Sequence, residues 1–269
     1  MDLQQYFQRI GYEGFATCEP RTLRSIVLAH ATSIPFECLD PLAGVAVSIE
    51  NQAIFDKLVC RRRGGYCFEQ NALLAAALRQ VGFDVDELSA RVWYNTPDGI
   101  TPPRTHVFLA VTVDGTRWLA DCGLGGSTPT GLMELDCIGD DQPLSGETRR
   151  IVRTHGRLVP TFMHQVRHGE AWTDVYEFTG ETMPKIDQEL ANWWTSRHPD
   201  SKFRKNLIVA VLHRDGTRST LVNKEFTHRR SAEILQRIEI RNREHLSDLL
   251  SERFGLELPQ AANLAFLFG

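Results

Sequence analysis

At Gly82 the hydrophobic pattern of the chain changes period, and that switch constrains the fold more than any other feature of its 269 residues. Upstream, apolar residues recur at helical spacing. Leu3, Phe7 and Ile10 precede Gly11; Leu23, Ile26, Val27 and Ala31 follow Pro20; Ile49, Ala53, Leu58 and Val59 follow Ser48 as a cap. The clearest helix starts at Tyr66 or Cys67, carries Leu73, Leu74, Ala77, Leu78 and Val81 as its stripe, and stops at Gly82. Downstream the period falls to two: Val85 to Tyr94, Thr105 to Val113, Thr116 to Cys122, Thr148 to Arg153, Phe162 to Val166 and Trp172 to Phe178 read as strands joined by Gly, Pro and Asp turns. Such a meander makes an antiparallel sheet or small barrel rather than a parallel sheet with crossover helices. The end is mixed, with a helix from Asp187 to about Ser196, strands Leu207 to Leu212 and Thr217 to Val222, and helical patterns around Ile234 to Ile238 and Leu246 to Phe254. The expectation is an α+β chain in three packed parts, 1–83 helical, 84–186 β-rich and 187–269 mixed.

Charge and cysteine usage exclude several function classes. Lys plus Arg number 30 against 34 Asp plus Glu, a net charge of -4 that gives no reason to expect a nucleic-acid partner. No stretch has the roughly 18 consecutive apolar residues of a membrane span, and Met1 to Gly11 is too polar for a signal peptide, so cytoplasmic residence is expected. Six cysteines (Cys18, Cys38, Cys60, Cys67, Cys122, Cys137) are too sparse for a disulfide scaffold, and neither Cys-x-x-Cys nor a tight Cys/His cluster offers a metal site. They read as reduced thiols.

One of them has an unusual setting. In Arg63-Gly64-Gly65-Tyr66-Cys67-Phe68-Glu69, Cys67 follows two glycines and opens the best helix. Unpaired amide donors and the positive end of a helix stabilise a thiolate. The same string also fits a buried structural cysteine after a glycine turn, so a nucleophile needs a base. Thr105-His106-Val107-Phe108 supplies one within a strand, and Asp114-Gly115 between alternating runs signals a two-residue hairpin. That turn pairs 113 with 116, 110 with 119, 108 with 121 and 106 with 123, which puts His106 and Asp121 diagonally on one face, about 7–8 Å apart at the backbone. Val107, Leu109, Val111, Trp118 and Ala120 then fill the other face. A carboxylate beside an imidazole holds one ring nitrogen protonated and turns the other toward a nucleophile; a satisfied core histidine next to a strand-end Asp is the plainer alternative. Gly123-Leu124-Gly125-Gly126 lets backbone approach a ligand, or is a simple connection; it lacks the Lys-Ser/Thr of a P-loop.

Through Pro35-Phe36-Glu37, Arg63 to Asn71, Ala90-Arg91-Val92, Thr105-His106, Asp121 to Gly125 and His198 to Phe203, the chain resembles the arylamine N-acetyltransferase family, which moves acetyl from acetyl-coenzyme A to aromatic amines, hydroxylamines and hydrazines. Arg-Gly-Gly-aromatic-Cys-x-Glu-x-Asn, followed in order by the His and the Asp, is the specific part. The resemblance implies a papain-like or transglutaminase-like thiol core, with a helical bundle, a central antiparallel β-barrel and a C-terminal α/β lid. It implies Cys67 as nucleophile, His106 as base and Asp121 as orienting acid, and ping-pong transfer through acetyl-Cys67. It places Phe36, Val92, Leu124 and Phe203 against the aryl acceptor, Thr105, Gly125 and Gly126 at the donor entrance, and, more loosely, Lys224 and His228 near coenzyme phosphates. No permanently bound cofactor or metal is implied; acetyl-coenzyme A is a cosubstrate, the partners are small molecules, the role is xenobiotic metabolism, and the chain is a monomer or weak homo-oligomer.

Three positions depart from the family pattern: Cys38 replaces a common Asn, Cys122 a typical Val and Leu124 a usual Phe. The last withdraws an aromatic surface from the implied acceptor pocket. Competing expectations are a thiol amide synthase, a thiol hydrolase or transglutaminase-like enzyme, and a silent ligand-binding shell.

Overall fold

The computed structural model describes residues 1–154, 159–260 and 264–268. Five helices precede the period switch: α1 (Leu3–Ile10), α2 (Pro20–Ser33), α3 (Leu39–Leu42), α4 (Asn51–Phe55) and α5 (Cys67–Val81). Gly82 ends α5 in the left-handed region (φ 110), where its amide closes the last turn onto the Leu78 and Arg79 carbonyls. The third expected helix is shorter than its apolar spacing suggests. Its N-cap is Glu50, not Ser48, whose hydroxyl instead accepts from the Glu50 amide, and it continues into a π-helical turn at Asp56–Cys60.

Two sheets follow. The larger is built from β2 (Asp84–Val92), β3 (His106–Val113), β4 (Thr116–Ala120), β5 (Met133–Glu134), β6 (Gln142–Leu144), β7 (Glu147–Thr154), β8 (Thr161–His168) and β9 (Ala171–Thr182), in the spatial order β5-β4-β3-β2-β9-β8-β7-β6. It curls until its edges meet. The Gln142 carboxamide donates to the Glu134 carbonyl at 3.0 Å and accepts from the Glu134 amide at 2.7 Å, so one side chain stands in for a missing strand pair and nearly closes the barrel. The smaller sheet joins β1 (Phe36–Glu37) to β10 (Ile208–Leu212), β11 (Thr217–Val222), β12 (Glu225–Arg230) and β13 (Glu233–Glu239) in the order β1-β10-β11-β12-β13. Around it lie α6 (Lys185–Arg197), α7 (Lys202–Lys205), α8 (Arg243–Phe254) and α9 (Ala265–Phe268). Among the described residues no helix is long and apolar enough to cross a membrane.

The hairpin at Asp114-Gly115 has positive φ at both central residues, 51 and 76, as a type I′ turn requires. Its ladder contains the expected Val113–Thr116 and Ala110–Leu119 pairs but ends at Leu109–Ala120: the expected 108–121 and 106–123 pairs do not form, because Asp121, the next residue, already leaves the sheet. The alternation of β3 divides two cores. Val107, Leu109, Val111 and Ala120 pack with the helices, whereas Phe108, Ala110 and Leu119 lie in the barrel interior.

One element differs in kind from the sequence expectation: Ile234 to Ile238 belongs to strand β13, not to a helix. Ile234, Leu235 and Ile238 have helical spacing, yet β13 is an edge strand with nearly every residue exposed, and its pairing with β12 slips at His228/Arg229. Neither face is buried, so the two-residue alternation that marks a strand never developed. Strand β12 and the very short β1, β5 and β6 went unseen in the sequence.

Because Gln142 supplies both bonds across the barrel seam, Gln142→Ala is expected to cost about 1 kcal/mol, read as a lowered urea midpoint at unchanged slope. An unchanged midpoint would show that the seam is held elsewhere.

Candidate active site

The chain reaches Cys67 through a crowded crossing. The Phe36–Glu37 segment runs beside Gly65, with Glu37 N–H donating to the Gly65 carbonyl at 3.1 Å and Gly65 N–H to the Pro35 carbonyl at 3.3 Å. A Cβ on Gly64 would lie 2.2 Å from the Pro35 oxygen, and one on Gly65 2.7 Å from Glu69 Oε2. The paired glycines are therefore required by close approach, not by flexibility. Glu69 Oε2 accepts from the Tyr66 amide at 3.1 Å, fixing the helix start. Below lies a buried ionic net: Lys57 Nζ is 2.7 Å from both Asp40 and Glu69, and Arg63 bonds Glu37 at 2.6 Å and Asp40 at 2.9 Å. Burial pushes the Glu69 carboxyl up to about 7 even though Lys57 pulls the other way.

Cys67 is the first residue of α5, nearly buried, with its Sγ 3.6 Å from the Thr105 carbonyl oxygen. Thr105 is thus brought to the nucleophile by its backbone. His106, the next residue, starts β3, and its Nε2 lies 2.8 Å from Asp121 Oδ2. Burial alone would lower the imidazole, but the Asp121 carboxylate, reinforced by a hydrogen bond from the ring to Asp121 and another to the Cys67 thiol, drives it up to about 10. With Nε2 engaged by Asp121, Nδ1 is the nitrogen left to the sulfur. Burial opposes ionisation of Asp121 as well, yet His106, Asn71 and the Gly123 amide hold its carboxyl below the usual range. The Tyr176 ring packs against His106 at 5.2 Å and against His164 at 4.6 Å, backing the imidazole with apolar surface.

Asn71 performs the alignment, and its role was not read from the sequence. One turn after Cys67, its Nδ2 donates to the Val107 carbonyl at 2.7 Å and to Asp121 Oδ1 at 3.0 Å, while its Oδ1 accepts from the Cys122 amide at 3.0 Å. A single carboxamide joins the helix, the strand of the base and the acid. The signal was present: Asn71 shares the helical face of Cys67 in a string otherwise apolar at that face. Gly123 completes the approach, since a Cβ there would sit 2.5 Å from the Cys67 Cα.

The four residues expected at the acceptor fall on two walls. Phe36 and Phe203, ring centroids 5.9 Å apart, pack with the helical core that contains Cys67 and Tyr66, whereas Val92 and Leu124 pack on the barrel interior. Gly125, with φ 63, runs along the Phe36 ring, and a Cβ there would be 3.2 Å from it. After Gly125 the loop is held by arginines from three strands: Arg229 donates to the Gly126 carbonyl at 2.7 Å, Arg149 to that of Ser127 at 2.9 Å, and Arg218 to that of Thr128. Glu147 binds Arg149, Arg218 and the Thr130 amide, and these arginines hold its buried carboxyl well below the ordinary range. This clamp was not legible, because its members lie far apart in sequence. His228 and Lys224 are drawn into other contacts, His228 Nδ1 with Ser219 Oγ at 3.1 Å and Lys224 over the Phe268 ring. Cys38 and Cys122 are buried, and burial pushes the Cys38 thiol up to about 12 and raises that of Cys122 as well.

Residues 21–263 match the N-acetyltransferase family model. An arylamine N-acetyltransferase of Mycolicibacterium smegmatis is 41% identical over 266 residues, covering 97% of this chain and 94% of that protein. One of Mycobacterium tuberculosis is 40% identical over 262 residues, covering 96% and 90%. The Mycobacterium marinum arylamine N-acetyltransferase solved in complex with CoA superimposes with a TM-score of 0.89 at 35% identity, covering 99% of this chain and 97% of that one.

Removing Lys57 strands the buried Glu69 carboxylate, while Asp40 keeps Arg63, so Lys57→Met is expected to cost about 3–5 kcal/mol in chemical denaturation. Asn71→Ala should slow alkylation of Cys67 by iodoacetamide about tenfold while the fold persists, since it frees the acid and the base together; an unchanged rate would remove Asn71 from the alignment. The His106 shift sets a pH dependence. An imidazole raised in the folded state contributes stability that is whole below about pH 6.5 and is lost as pH rises toward the folded value of about 10. The gap in Tm between wild type and Asp121→Asn should therefore narrow across that window, and a constant gap would contradict a charged pair.

Proposed function

Because the chain belongs to the arylamine N-acetyltransferase family, we propose that it transfers acetyl from acetyl-coenzyme A to arylamines, arylhydroxylamines and hydrazines through an acetyl-Cys67 intermediate. The observation that carries this reading is the convergence of Cys67, His106 and Asp121 around Asn71. A binding shell has no use for a buried imidazole charged by a carboxylate at the mouth of a helix.

His106 holds the thiol proton while Cys67 Sγ attacks the thioester carbon, and the amides at the start of α5, that of Cys67 first, stabilise the oxyanion. Collapse expels the coenzyme A thiolate, which takes the proton from the imidazolium. The ring, now neutral, accepts a proton from the amine as the amine attacks acetyl-Cys67, and returns it to the sulfur as the amide forms. Asp121 stays ionised throughout and fixes which nitrogen exchanges the proton. Residues 1–83 supply the nucleophile, 84–186 the base and acid, and 187–269 the cover that brings Phe203 and two of the clamp arginines, Arg218 and Arg229. The donor passes Thr105, Gly125 and Gly126; the aryl ring sits between the Phe36–Phe203 wall and the Val92–Leu124 wall. The enzyme works in the cytoplasm on xenobiotic amines.

Rapid mixing with acetyl-coenzyme A and no amine should release about one equivalent of coenzyme A and leave an acetyl group on Cys67 by peptide mass spectrometry. Cys67→Ala should give neither while keeping its circular dichroism. Release only in the presence of amine, with no modified Cys67, would overturn the covalent route. Leu124→Phe, by restoring an aromatic surface, should raise kcat/KM for a simple arylamine by about three- to tenfold.

A further inference from the structure

Helix α6 exposes an apolar stripe that the acetyl-transfer site does not use. Ile186 is 61% exposed, Leu190 64%, Trp193 57% and Trp194 36%, at the spacing of one helical face. The opposite face is pinned. Gln188 Nε2 donates to Glu87 and to the Met183 carbonyl, both at 2.8 Å, and Asn192 bonds the Val47 carbonyl and the Tyr66 hydroxyl, so the helix has no freedom to roll its stripe inward. Trp194 is held flat by stacking on His198 at 3.6 Å, which leaves a rigid platform. Together the four side chains present roughly 400–500 Å² of apolar surface, the scale at which a patch on a monomer marks an interaction site.

The charges around the stripe identify its occupant. Asp187 and Glu189 lie toward the N-terminal end of α6, where the first residue, Lys185, is already paired with Glu50 at 3.3 Å, and Arg197 lies at its C-terminal end; Asp187, Glu189 and Arg197 are exposed, and none of the three forms an ion pair among the described residues. An antiparallel helix pair places the acidic end of one copy beside the basic end of the other. We propose that α6 is a self-association surface on which two copies of this chain pair about a two-fold axis. Leu190 packs against the second copy's Trp193, the stem of Arg197 covers the second copy's Ile186, and its guanidinium reaches the second copy's Asp187. The stripe contributes roughly 800–1,000 Å² to the total, and the charged rim brings it to the lower edge of a specific interface, so the dimer is weak and dissociates on dilution.

Sedimentation velocity from about 100 µM to about 1 µM tests this. Wild type should shift from dimer to monomer across that range, and Trp193→Glu should be monomeric throughout with unchanged acetyl transfer. Arg197→Asp should weaken the dimer at least tenfold, and Asp187→Arg combined with Arg197→Asp should restore it, a rescue that only pairing of α6 with itself produces. A wild type monomeric at about 100 µM overturns the proposal, as does a dimer indifferent to Trp193→Glu. So does a monomer whose tryptophan emission shifts on phosphatidylglycerol vesicles, which would assign the stripe to a lipid surface.

Discussion

The Asn71 carboxamide is the part on which the rest of the site depends. It presents a donor and an acceptor at once, and it uses both across the boundary between a helix and a sheet: Val107 and Asp121 receive its N–H groups and Cys122 supplies one to its oxygen. An Asp in its place has no hydrogen to give to the acid, and a Gln is one methylene too long for a gap set by the Gly123 backbone against Cys67. Sliding α5 by one residue would break all three bonds and move the sulfur away from the imidazole together. The placement of the Cys67 sulfur relative to the His106 imidazole is therefore fixed by a polar contact neither of them makes.

Around that contact, the approach to Cys67 and the loop after Asp121 are not regular structure, and side chains hold them instead. The approach to Cys67 is anchored by Lys57, Arg63 and three carboxylates; the loop after Asp121 is anchored by arginines on successive carbonyls. Burying so many ions gains little net stability, because desolvation offsets most of the attraction. What these nets do provide is a single geometry, since each loop satisfies its buried partners in one arrangement only. The second net also ties parts of the chain together, since Glu147 comes from the barrel and Arg218 from the last sheet.

How much of this was readable follows from the range of each interaction. Helix α5, the β3–β4 hairpin and most barrel strands were legible because periodicity and turn chemistry are local; the register held as far as Leu109–Ala120, and His106 meets Asp121 beyond the end of the ladder through side-chain contact, not through the pairs expected there. Where locality failed, so did the reading. Strand β13 buries neither face and β1 is two residues long, so neither leaves a pattern. Lys57 leaves no mark in the local pattern; only the fold turns it beneath α5. The double glycine was visible before Cys67, but its reason, the crossing of the 35–37 segment, is a long-range event. Arg149, Arg218 and Arg229 converge on one loop from strands far apart in sequence, and no spacing rule reaches that far.

The three buried cysteines show how environment, not residue type, assigns chemistry. Cys38 sits in the β1–β10 joint, exchanging hydrogen bonds with backbone at 206 and 208, and Cys122 points its sulfur at the Val27 carbonyl. Carbonyl acceptors and apolar walls disfavour a thiolate, and burial raises both thiols accordingly. Cys67 is buried as deeply, yet it stands at the open end of α5 with an imidazole that Asp121 keeps charged. Cys122 is the telling neighbour, because it adjoins Asp121 directly and meets that carboxylate as a like charge with no imidazole between them. The carboxylate that holds the His106 imidazole charged also opposes ionisation of the Cys122 thiol beside it, so a single acid acts in opposite senses on two neighbouring groups.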